Sequence, residues 1–223
     1  MKFLRKNLID ITIFILLQYF FTSFILIYLY TGGNAIYHDD QVYAWHLNYL
    51  SDLGRAFYFN GNENPFWIFY GLSLGLVGIG TFLYFYLLSA LIKNKVIKLL
   101  IILFSILSGI GYILIGFYPV DLYFTKHISA GMLGFYSFFF ANLLLVMFIN
   151  REKYRLIYHL TLLLIFLFLG RMLAIFIAHQ AGADSLYMLQ IKTISQKIVV
   201  YGQIITSIMI LWSLKKQALY SGR

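Results

Sequence analysis

Six runs of about 20 apolar residues, separated by short polar segments, constrain this 223-residue chain more than any motif in it. The hydrocarbon core of a bilayer, roughly 30 Å thick, is crossed by about 20 residues at helical rise. The runs fall at residues 11–30, 65–92, 99–118, 127–149, 156–178 and 198–214, and all but the fifth are free of internal charge. Charged residues make up 11% of the chain, against about a quarter in a soluble domain. The pattern predicts an all-α, polytopic six-helix transmembrane bundle, a single integral membrane domain over residues 1–223. The first run follows a basic segment as a signal peptide would, but it exceeds the usual apolar length of about 7–15 residues and no small-x-small site follows it, so it is read as a helix.

The connecting segments sort by charge. Alternate segments carry Lys2, Arg5 and Lys6; Lys93, Lys95 and Lys98; Arg151, Lys153 and Arg155; Lys215, Lys216 and Arg223, which is 12 of the 17 Lys and Arg. The intervening segments hold only Arg55, Lys126, Lys192 and Lys197, yet they carry Asp39, Asp40, Asp52, Glu63, Asp121 and Asp184, six of the eight acids. This is the positive-inside pattern, and it predicts cytoplasmic N and C termini in a multi-pass protein of the cell membrane. The net charge of +9 would suggest nucleic acid in a soluble protein, but these cations flank apolar spans, so no nucleic-acid partner is expected. The lack of Cys excludes disulfides, thiolate metal sites and a thiol nucleophile.

The segment 31–64 is the longest connection. Val42, Trp45, Tyr49 and Leu53 follow 3, 4, 4 spacing in it, which predicts a short amphipathic helix lying over the bundle as a structured cap. Pro65 suits the first turn of the second span, and Pro119 suits the end of the third. Small residues recur at close-packing intervals: Gly71 with Gly75, Ser105 with Gly109, and Gly131 with Gly134. They predict tight helix contacts, or a face for a homo-oligomer.

Groups capable of chemistry gather on the outer side. The first outer loop supplies His38, Asp39, Asp40, His46, Ser51, Asp52 and Asn64; the second supplies Tyr118, Asp121 and His127; the third supplies His179. Arg171 is the most costly residue to place, because it lies eight residues before His179 and so roughly 12 Å below the outer end. A guanidinium at depth costs on the order of 3 kcal/mol and must face a wet cavity, a counter-ion or the bundle interior. Two readings fit: an Arg–Asp pair that orients helices, with Asp52 or Asp121 as partner, or a fork of donors that clamps a phosphate or carboxylate.

Three stretches carry a family likeness. Leu50-Ser51-Asp52-Leu53-Gly54 with Asn64-Pro65, then Gly116-Phe117-Tyr118-Pro119-Val120-Asp121 with His127 six residues on, and Gly170-Arg171 in the fifth span, together resemble the DUF 998 family of six-helix prokaryotic membrane proteins. In the second stretch Tyr118 separates the Phe from the Pro, a departure from that family's turn. The family is similar to the Frag/DRAM/Sfk membrane proteins, so the resemblance implies work on or with lipids. It also implies that Ser51, Asp52, Asn64, Asp121, His127 and Arg171 converge on one pocket.

Several chemistries are open to these residues. Ser51 as nucleophile, His127 as base and Asp121 or Asp52 as its orienter would form a Ser-His-Asp set for a lipid hydrolase or an acyl or headgroup transferase. Arg171, Asn64, His179 and Tyr118 would then bind the ligand. There is no G-x-S-x-G elbow, and Ser51-Asp52 also suits a helix cap. No cofactor is expected; the alternative is a divalent metal such as zinc on His38, Asp39, His46 and His127, although no H-x-x-x-H or H-E-x-x-H spacing occurs. A third reading has no reaction: the pocket binds a lipid or other amphiphile with an anionic headgroup, and the protein senses, scaffolds or, as a further alternative, transports. Gln196, Gln203 and Ser207 give the sixth span some polarity, but the inner ends show no polar entry. The expected partner is a membrane lipid.

Overall fold

In lipid a backbone must satisfy its own hydrogen bonds, and the apolar runs do so as helices. The computed structural model describes residues 2–180, 182 and 185–220, with side chains from residue 7 to residue 217. The six helices are α1 (Lys2–Tyr28), α2 (Trp67–Ser89), α3 (Lys95–Phe117), α4 (Phe124–Phe148), α5 (Arg155–Gln180) and α6 (Ser185–Tyr220). All six are long and apolar enough to cross a membrane. The only β pairing among the described residues is an isolated bridge between Phe57 and Glu63. An ion pair between Asp10 of α1 and Lys215 of α6 ties both terminal helices together at one end of the bundle. Asp184, counted among the outer acids, lies outside the described residues.

Most helix ends have local causes. Asn94 caps α3, its side-chain oxygen accepting from the amides of Val96 and Ile97 at 2.9 and 3.2 Å, and α3 stops before Pro119, which disfavours helix in the residue preceding it. Pro65 lies ahead of α2, with Phe66 at its N-cap, rather than in the first turn. The largest departure is in α6, which begins at Ser185 rather than near residue 198. Lys192 and Lys197 look like loop cations in the sequence, but Lys197 is only 1% exposed. Its Nζ donates to the carbonyls of Asn48 and Thr193, so the helix continues through it.

Glycines bring α2, α3 and α4 into close contact. A Cβ on Gly71 would stand 2.5 Å from the carbonyl oxygen of Gly116, one on Gly78 2.4 Å from that of Gly109, and one on Gly111 2.3 Å from the amide nitrogen of Gly134. These backbones touch because no side chain intervenes. Gly75 has open space around it, and Gly131 meets only Ile115 Cδ1, at 3.9 Å, so neither belongs to the close contacts that their spacing suggests. Helix α5 stands apart from this unit, packing chiefly on α6 and more thinly on α4.

The segment between α1 and α2 is an ordered cap, but its only helix is the short 3-10 turn Leu50–Gly54. The expected amphipathic helix does not form: Val42 and Trp45 are exposed, whereas Leu53 is buried. Asn48 gives the chain an alternative to a helix. Its Oδ1 accepts from the Ala44 amide at 2.9 Å, and its Nδ2 donates to the Gly33 carbonyl at 2.8 Å. Tyr49 is then extended, with φ −76° and ψ 157°.

Candidate functional site

Below the cap the bundle is unevenly packed. Toward the end where the termini meet, the rings of Tyr84, Phe85 and Phe138 interlock, with centroids 4.8 and 5.2 Å apart, and Leu87, Leu88, Leu145 and Ile157 are fully buried. Toward the cap the helices enclose a cavity of about 470 Å³, within the roughly 300–1,000 Å³ of small-molecule sites. All six helices and the 3-10 turn contribute to its wall. Much of the wall is apolar, formed by residues such as Leu74, Val77, Ile115, Phe135 and Ile204; the polar groups include Ser51, Asp52, His127, Arg171, Lys192 and Gln196. Tyr112 and Gln203, hydrogen-bonded to each other at 2.9 Å, lie at the inner limit. Beyond them is a void of only about 10 Å³.

Four of the six residues expected to converge line this cavity. Asp52 is 3% exposed and reaches it from the 3-10 turn. Burial pushes its carboxyl up to about 6, against the opposing pull of the Tyr49 amide, Arg55, Asn48 and Lys197. The Tyr49 amide donates to its Oδ2 at 2.7 Å. Ser51 precedes it on the same wall. Burial also pushes the Tyr49 phenol up, with the Asp52 charge adding to the effect and Arg171 opposing it, so this ring feels both charges.

His127 sits in the first turn of α4, with Nδ1 2.6 Å from the Tyr118 carbonyl oxygen. A carbonyl only accepts, so Nδ1 carries the hydrogen and Nε2 keeps its lone pair. The expected orienter is elsewhere. Asp121 accepts from the amides of Ala56 and Phe57 at 3.0 and 2.9 Å, clamping the cap to the α3–α4 turn, and it does not line the cavity. A Ser51-His127-Asp121 set is therefore not assembled, because the Tyr118 carbonyl holds the nitrogen that Asp121 would need.

Arg171 enters from α5. It lines the cavity beside Tyr136, its Nε is buried without a hydrogen-bond partner, and among the described residues it forms no ion pair. The helix-orienting Arg–Asp pair is thus not made with Asp52 or Asp121. Arg171 and Lys192 line the cavity with Asp52, so among the described residues its wall has an excess of cations.

The remaining expected site residues are structural or peripheral. Asn64 is 2% exposed and fully engaged: its Nδ2 donates to the carbonyls of Leu53 and Arg55 at 3.0 and 2.8 Å, and its Oδ1 accepts from the Phe66 amide at 2.9 Å. Tyr118 contributes its carbonyl to His127, while its ring packs on Tyr123. His179 is exposed in the last turn of α5. His38 stacks on Phe59, Asp39 is exposed, and His46 accepts at its carbonyl from the Thr193 hydroxyl. No cluster of three or more His, Cys, Asp or Glu suited to a metal occurs among the described residues, so these four proposed ligands are not gathered.

The sequence reading missed the part played by α6. Lys197 anchors Asn48, and Gln196 accepts from the Leu50 amide at 2.9 Å through Oε1, so consecutive residues of one helix hold the turn that presents Ser51 and Asp52. A helical projection continued through residues 192–203 would have placed Lys192, Gln196, Val200 and Gln203 on one face, which is the face lining the cavity. The fold and cavity together define the class: a multi-pass integral membrane protein with six membrane-crossing helices. Comparison with protein-family models, curated proteins and solved structures gives no match.

Proposed function

We propose that this protein binds an amphiphile with an anionic headgroup in the cavity beneath the cap, the headgroup engaging Arg171 and the hydrocarbon lying against the apolar wall. One observation carries the reading: a guanidinium lines an apolar-walled cavity with a buried donor unpaired and no ion pair among the described residues. An unmade hydrogen bond of this kind costs about 1–3 kcal/mol, and a phosphate or carboxylate in the cavity would offset it by pairing with the guanidinium's fork of donors. Lys192 on the same wall adds to the attraction. The charge sorting supports termini in the cytoplasm, a cap outside and a cavity toward the outer leaflet.

A second reading, that the ligand is also processed, has its own support. His127 offers a free Nε2 as base, and Asp52, with its carboxyl near 6, holds or releases a proton close to neutrality. Ser51 is the hydroxyl on that wall. A conducting role is less well supported, because the interlocked aromatic layer fills the bundle beyond the Tyr112–Gln203 pair.

The test uses purified protein in neutral phosphatidylcholine nanodiscs, titrated with phosphatidylglycerol. Binding is expected to raise Tm in the wild type and to do so far less in Arg171→Met. Equal rises in both proteins would remove Arg171 from recognition. For the second reading, His127→Ala should abolish headgroup or acyl release while leaving binding intact.

A further inference from the structure

The cavity is not closed on all sides. Phe124, Ile128, Met132 and Tyr136, four residues at one-turn intervals on α4, line it and are also solvent-accessible, by 65, 45, 53 and 40%. Across from them Met172 and Ile175 of α5 line it while remaining half-buried. Such accessibility in residues that line the cavity, on two helices that touch only thinly, points to a slot between them. Its floor is aromatic: Phe168 of α5 meets Tyr136 edge-on at 5.6 Å and stacks on Phe139 at 4.9 Å. From Phe124 to Tyr136 is twelve residues, or roughly 18 Å of helix. One leaflet of hydrocarbon is about half of 30 Å, so the slot runs the depth of a single leaflet and stops.

We propose that this α4–α5 slot is a lateral portal through which the hydrocarbon chain of a lipid in the same leaflet passes into the cavity. The inference rests on the proposed anionic-amphiphile site and narrows its ligand to a lipid with a long chain, as opposed to a water-soluble anion. Three observations agree. The slot is continuous with the cavity; its lining on α4 is wholly apolar apart from the Tyr136 hydroxyl; and Arg171 stands on the helix bordering it, where it can meet a headgroup whose chain lies between α4 and α5. The two sides of the slot also differ in how they are held. Glycine contacts lock α4 to α3 and α3 to α2, whereas α5 touches α4 only thinly and packs chiefly on α6, so the α4–α5 seam is the weaker of the two helix contacts that α5 makes.

The experiment uses the full chain in phosphatidylcholine nanodiscs carrying a few per cent of a phosphatidic acid with a diazirine at mid-chain. Irradiation should give adducts concentrated on residues 124–136 and 168–175. Gly131→Leu should reduce them several-fold, because a side chain at Gly131 grows into the cavity with only Ile115 Cδ1 nearby. Excess phosphatidic acid should compete, and excess glycerol phosphate should not. Adducts spread evenly around the bundle, or unchanged in Gly131→Leu, would overturn the portal. Competition by glycerol phosphate as strong as that by the lipid would overturn it too, while leaving the anion site standing. A failure of every anion to raise Tm would remove the site itself. Met132→Trp, which obstructs the slot from its exposed edge, is a second obstruction independent of Gly131; wild-type labelling in that variant would count against the portal.

Discussion

Arg171→Met should make the empty protein more stable and the lipid-bound protein less so. The guanidinium occupies a position about 12 Å below the end of α5, where a charge costs on the order of 3 kcal/mol, and its Nε lacks an acceptor, worth a further 1–3 kcal/mol or so. The open cavity and the Tyr49 and Tyr136 rings beside it offset part of this, so the expected gain is about 1–3 kcal/mol. For a chain of this size each kcal/mol moves Tm by roughly 2–4 °C. In neutral nanodiscs Arg171→Met should therefore melt several degrees above wild type. With anionic lipid at about 100 times its Kd, wild type gains roughly 2.7 kcal/mol by mass action and the variant gains little, so the order narrows or reverses. A variant that melts well below wild type in neutral lipid would show Arg171 to be a structural brace, and the argument from its unpaired donor would fail.

Three other perturbations test other parts of the structure. Because Asp52 titrates near 6 in the fold against an ordinary 3.8, the folded state binds the extra proton, so its stabilising share is present below about pH 4 and lost as pH rises through 6, a span equivalent to roughly 3 kcal/mol; Asp52→Asn should flatten the pH dependence of Tm over that range and raise Tm at pH 8. Asp121→Asn removes one of two amide-accepting oxygens from a partly exposed clamp; a loss near 1 kcal/mol and faster proteolysis within residues 34–64 are expected, with lipid-induced Tm shifts unchanged, whereas loss of binding alone would return Asp121 to the site. Gly111→Ala drives a Cβ to 2.3 Å from the Gly134 amide nitrogen and should cost about 1–3 kcal/mol, whereas Gly75→Ala, with open space around it, should gain roughly 0.5–1 kcal/mol; equal effects would deny the close α3–α4 approach.

The spans were legible because lipid permits so few backbone solutions. Six apolar runs of sufficient length had to be helices, and the alternation of cations supplies an expected orientation without reference to any contact. Arg171 was legible as well, since a charge at that depth must be accounted for whatever surrounds it. Residue type and spacing could not say which polar groups spend their hydrogen bonds on the fold. Asn64 and Asp121 looked equivalent to Asp52 and His127, yet the first two are consumed by cap amides and carbonyls while the latter two reach the cavity.

The sequence by itself determined the class of protein, the number of helices able to cross a membrane and the presence of one costly cation, because each follows from the free energy of placing a residue in lipid or water. Tertiary structure decided the rest. It ran α6 through Lys197, since carbonyls of Asn48 and Thr193 were available to that ammonium. It replaced an amphipathic helix with a 3-10 turn that carries Ser51 and Asp52 inward, since Asn48 and Gln196 hold that turn in place. It left Arg171 without an ion pair among the described residues, beside an open cavity, because Asp121 accepts from the cap amides and Asp52 from the Tyr49 amide. Such outcomes depend on which donor meets which acceptor across the bundle, and one-dimensional spacing does not encode that.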